Sequence, residues 1–184
     1  MLTTLLVIAG IIVAAIVVVL ILASMKPDHF AVARTATINA PPERIYPFIA
    51  DFRRWTDWSP YEHRDPNLKR SFAGEPGAVG QHYAWEGNKN VGKGSMTVNE
   101  VAEPSKVGIN LDFISPFACH NKVVFSLAPQ GPSTAVTWHM QGPVPFMAKI
   151  MHVFMDMDKM CGKDFSEGLA KLKTQAETSH AQAA

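Results

Sequence analysis

From Met1 to Met25 the chain carries no ionisable side chain, and Lys26 ends the run. A spanning helix needs ~20 apolar residues to cross ~30 Å of hydrocarbon at ~1.5 Å per residue. Leu2 to Ala23 meets that length. The segment is rich in β-branched residues (Val7, Ile8, Ile11, Ile12, Val13, Ile16 to Val19, Ile21), yet it is far too long for one buried strand. In lipid a helix satisfies its own backbone, so the helical reading wins. Two features argue against a cleaved signal peptide: no Lys or Arg precedes the run, and it exceeds the usual apolar stretch of ~7–15 residues. Gly10 and Ala14 form a small-xxx-small pair, a motif too common to specify a dimer. Basic residues follow the span (Lys26, Arg34, Arg44) and none precedes it, which places the large domain on the cytoplasmic side. The chain therefore reads as residues 1–25 transmembrane helix (membrane contact through 2–24), 26–29 linker, 30–177 folded domain and 178–184 disordered tail.

All 17 basic and 16 acidic residues lie after this run, with a formal charge of +1. So even a balance makes no electrostatic case for nucleic acid. Cys119 and Cys161 form neither a CxxC nor a zinc pattern, no residue set reads as a metal or cofactor site, and a reducing compartment disfavours a disulfide between them.

Phe30 to Asn39 alternates as a strand with Phe30, Val32, Arg34, Ala36 and Ile38 on one face. Pro41-Pro42-Glu43 opens a helix, because proline suits the first turn and an acid suits the N-terminus. A second helical turn runs through Trp55 and Trp58 to Ser59-Pro60. From Leu68 to Gly142 short alternating runs are broken by Gly, Pro and Asn, giving about six strands with one apolar face each. Phe146 to about Ala176 repeats apolar residues at three and four and reads as one long amphipathic helix. The order predicts an α+β fold: a curved antiparallel sheet wrapped around a long C-terminal helix, preceded by one transmembrane helix.

The segments APPERIYPFIADFRRWTDWSPYEHRDP and DMDKMCGKDFSEGLAKLK give the chain a specific likeness. From about Phe30 to Glu177 it resembles the polyketide cyclase/dehydrase-like branch of the SRPBCC superfamily, which includes START lipid-transfer domains and the birch pollen allergen fold. The resemblance implies a helix-grip fold with an internal hydrophobic cavity. It implies no particular reaction, since function lies in sites rather than folds.

The inward strand faces carry Tyr83, Trp85, Phe113, Phe125 and Trp138, and the long helix adds Phe154, Met157, Asp158 and Cys161 as candidate ligand contacts. Asp158 falls on the apolar stripe, where a carboxylate must be paired, protonated or facing a wet cavity. It is the candidate catalytic acid, against a plain structural anchor. The leading expectation is a membrane-anchored module binding a hydrophobic small molecule or lipid, without defined catalysis. The first alternative is a cyclase or dehydratase acting on an aromatic or polyketide-like substrate through Asp158, Tyr83 and His120. The second is a stress-related interaction module using the outer sheet face. His120 and His139 otherwise read as solvated surface, and the sequence leaves the oligomeric state open.

Overall fold

The structure is a computed structural model that describes residues 1–181, with side-chain surroundings through 178. Helix α1 (Leu2–Ser24) has 23 residues and so measures roughly 35 Å. All but its last turns stand clear of the domain. Only Val19 and Ala23, one turn apart near its end, are shielded. Among the described residues it is the one helix long and apolar enough to cross a membrane.

Strand β1 (His29–Ile38) buries the alternate residues expected of it. Helix α2 (Pro42–Ala50) starts on Pro42 and carries Glu43 in its first turn. Its C-terminal carbonyls have no partner within the helix. The following 3₁₀ turn, Phe52–Asp57, answers this. The Trp55 indole N–H donates to Ile49 O at 2.9 Å and that of Trp58 to Phe48 O at 2.8 Å. The Trp-x-x-Trp spacing thus closes α2 and also delivers two large rings to the core.

Strands β2 (Lys69–Ala73), β3 (His82–Glu86), β4 (Lys93–Ala102), β5 (Lys106–Ser115), β6 (Cys119–Gln130) and β7 (Ser133–Pro143) complete one sheet. Its order is β1-β7-β6-β5-β4-β3-β2, antiparallel throughout. Register shifts near Gly94 and between Val98 and Glu100 interrupt the β4–β5 ladder. Such bulges increase local bend and twist, and the sheet curls around its inner face.

The C-terminal stripe departs from the expected single helix. It is two helices, α3 (Phe146–Phe154) and α4 (Met157–Ala181). Met155 is extended (φ −123°, ψ 132°), and the Asp156 carboxylate accepts from Lys159 N at 3.2 Å. Asp156 thereby caps the new helix. α4 crosses the inner face of the sheet along β1. At its far end Glu177 accepts from Asn39 N and Lys173 donates to Thr37 O, both at 2.7 Å. Residues 178–181, expected in the tail, continue α4, with Thr178 Oγ1 donating to Thr174 O. Residues 182–184 lie outside the described residues.

Candidate functional site

The inner face of the sheet and α4 meet through aromatic rings. Trp138 stacks on Phe165 with centroids 4.2 Å apart and planes at 7°. Phe125, Trp55 and Trp58 close around Trp138 at 5.0 to 6.3 Å. Gly168 makes this approach possible, because a Cβ there would sit 2.9 Å from the Trp138 ring and 3.0 Å from Pro60. The space where the fold resemblance implies a cavity is, at this level, filled by side chains. Three tryptophans and two phenylalanines directed inward take up that volume.

Phe125, Trp138 and Cys161, expected as ligand contacts, belong to this packed core. Burial, with Asp164 and then Asp158 nearby, pushes the Cys161 thiol up to about 11, so it stays protonated at neutral pH. Both cysteines are free.

Tyr83, Trp85 and Phe113 form a second cluster toward the β2 edge. Tyr83 stacks on Phe72 at 4.9 Å, and Trp85 meets Phe113 edge-on at 5.6 Å. Here lies a polar device that sequence reasoning missed. Glu62 is 5% exposed. It accepts from Tyr83 Oη at 2.7 Å and from Arg70 Nε at 2.6 Å, while Arg70 Nη2 donates to the Glu62 carbonyl at 2.7 Å. Burial, followed by the bond to Glu62, holds the Tyr83 phenol far above its ordinary value. Tyr83 is therefore a committed donor with no free capacity for acid–base work. The available sequence signal was an acid two positions after the Trp58-Ser59-Pro60 corner.

Asp158 corrects the sequence reading most clearly. Its side chain is 58% exposed and bidentate with Arg34, both Nη···Oδ distances being 2.9 Å. Arg34 comes from the inner face of β1 and lies against Gly162, where any Cβ would overlap the guanidinium. The hydrogen bond from Arg34 holds the Asp158 carboxyl below its ordinary value. Asp158 is thus an ionised tie between β1 and α4, outside the apolar interior. His120, the third catalytic candidate, is exposed on the outer face with Asp112 at 2.6 Å. Asp158, Tyr83 and His120 each engage a different partner on a different element, and nothing brings them to one point.

An open groove exists elsewhere, at the α3–α4 break. Its volume is about 550 Å³, inside the ~300–1,000 Å³ range of small-molecule sites. Phe30 and Val32 of β1, Val144, and Val153, Phe154 and Met157 of the two helices supply apolar walls, with Lys26, His29, His152, Asp156 and Asp158 among them. Of the nine expected contacts, Phe154, Met157 and Asp158 meet here. Lys26 and His29 also place the groove directly beside the end of α1. Burial, then the Lys26 charge, lowers the His152 imidazole below its ordinary value.

A curved antiparallel sheet gripping a long C-terminal helix, with its opening at one end of that helix, defines an α+β protein of the helix-grip class. The chain belongs to the polyketide cyclase / dehydrase and lipid transport family, whose model matches residues 29–177. No curated protein matches the chain. Solved structures do. Protein MLL2253 from Mesorhizobium loti is 16% identical with a TM-score of 0.61, over 81% of this chain and 98% of that one. Protein CV1439 from Chromobacterium violaceum is 16% identical with a TM-score of 0.57, over 83% and 99%. DynU16, a protein of the dynemicin biosynthetic locus, is 15% identical with a TM-score of 0.55, over 84% of this chain and 49% of that one. These likenesses establish the fold.

Proposed function

We propose that the protein binds a hydrophobic small molecule or a single lipid, held close to a bilayer by α1. The observation that carries this reading is the groove of about 550 Å³ at the foot of α1. Its apolar walls would bury ligand surface at ~25 cal/mol per Å². Lys26, His29 and His152 could orient an anionic or carbonyl group at the rim. Family membership supports a hydrophobic ligand. The basic residues after α1 support a cytoplasmic domain. The cyclase alternative lacks a converging acid and base, since its three candidate residues are engaged separately.

The test is solvent extraction and mass spectrometry of the full-length chain purified from membranes, beside a groove-filled Met157→Trp variant. An apolar species that co-purifies with the wild type and falls at least tenfold in the variant is the expected result. Equal recovery from both, or none from either, overturns the reading.

A further inference from the structure

Helix α3 is built the wrong way round for water. Met147, Met151 and Phe154 recur at four and three residues and so share one face. All three are exposed, Met147 and Phe154 at 73% each. Phe146 beside them is exposed as well. The polar residues of the helix turn the other way: Lys149 is 8% exposed and bonds Asp28, and His152 is half-buried. A surface helix in water shows the reverse arrangement, apolar stripe inward and charges outward. A second observation says what covers this face. α3 packs against α1, whose shielded residues, Val19 and Ala23, lie in its last turns. Val19 sits roughly 7 Å before the end of α1 at ~1.5 Å per residue. Helices that lie in a membrane interface are buried ~5–10 Å at the headgroup–acyl boundary, which is the depth α3 has if α1 spans.

We propose that α3 is an in-plane membrane helix: its Phe146, Met147, Met151 and Phe154 face enters the bilayer interface beside α1 and seats the groove mouth at the lipid surface. The proposal rests on the reading of α1 as an anchor. The outer apolar face of α1 and that of α3 are then one continuous lipid-facing surface, and Lys26 stands beside it, just past the end of α1, for anionic headgroups. A ligand dissolved in the membrane would enter the groove past Phe154 without crossing water.

The full-length chain carrying Cys119→Ser and Cys161→Ala is placed in nanodiscs of phosphatidylcholine and phosphatidylglycerol. Nitroxide labels are attached singly at Val13→Cys, Met151→Cys, Phe154→Cys or Lys89→Cys, and collision with oxygen is compared with collision with a water-soluble nickel chelate. Val13 reports the anchor, and Lys89, exposed in the β3–β4 turn, reports water. The expected result is an oxygen-to-nickel ratio at least threefold above Lys89 at Val13, Met151 and Phe154 alike. A lipid signal at Val13 with a Lys89-like signal at Met151 and Phe154 overturns the α3 proposal and leaves the anchor standing. A Lys89-like signal at Val13 overturns both. Shielding of Met151 and Phe154 from both reagents assigns the face to a second protein surface and overturns the proposal.

Discussion

α3 and α4 are neighbours in sequence with the same three- and four-residue apolar spacing, and they use it in opposite directions. In α4 the apolar residues Cys161, Phe165, Leu169, Leu172 and Ala176 are buried against the sheet. In α3 the apolar face points out and Lys149 points in. Periodicity tells that a helix has two faces; it does not tell which one meets the protein. What fixes the choice is the surroundings. α4 has a concave sheet to fill. α3 has the end of α1 and, on our reading, a bilayer.

The largest effects should separate the two helices. Phe165→Ala removes one ring of the Trp138 stack and should cost ~3–5 kcal/mol in urea denaturation. Phe154→Ala, on the exposed face, should stay within about 0.5 kcal/mol in detergent. Equal losses would dissolve the contrast between α3 and α4.

Next comes the buried polar cluster at the β2 edge. Glu62→Gln leaves Arg70 and Tyr83 with a weaker acceptor and should lower stability by on the order of 1–3 kcal/mol. Tyr83→Phe should cost less, because Arg70 keeps its partner. A Glu62→Gln protein as stable as wild type would show that this cluster is not holding the β2 edge to the loop.

Smaller effects are read through pH. In the folded state the Asp158 carboxyl lies below its ordinary value because Arg34 bonds it. A depressed carboxylate contributes stability that is present above ~pH 4 and is lost as pH falls through the folded value. Asp158→Asn should therefore lower the urea midpoint modestly at neutrality and flatten the acid limb of the profile below ~pH 4, where variant and wild type converge. The smallest effect belongs to α3. Burial holds His152 below the ordinary imidazole value, so the folded state binds fewer protons than the unfolded one as pH falls through ~6.5. The hydrogen-exchange protection of residues 146–154, corrected for the intrinsic pH dependence of amide exchange, should fall between pH 7 and 5.5, and His152→Gln should remove that change. Unaltered protection across this interval would separate His152 from the seating of α3.

Much of the fold was legible because its elements rest on local rules. The alternation from Phe30 to Ile38, the prolines that open α2 and the two tryptophans before Ser59-Pro60 appear where local chemistry requires them. The break at Met155 was not read, although Asp156 is an ordinary capping residue with its bond three positions on; the unbroken apolar repeat hid it. The site was less legible. Asp158 sits on the expected helix, but its partner Arg34 lies 124 positions away in sequence. Glu62, Arg70 and Tyr83 meet only because the 59–68 loop folds back over β2 and β3.

By itself the sequence determines a charge-free helix long enough for a bilayer, the order of elements as far as the break at Met155, and which strand faces are apolar, since each follows from composition or from a period of two or three to four. Only the tertiary structure decides that the heart of the grip is packed with rings, that the opening lies at the foot of α1, and that α3 turns its apolar face outward. Those outcomes depend on volumes and distances summed over distant segments. No local pattern carries that information.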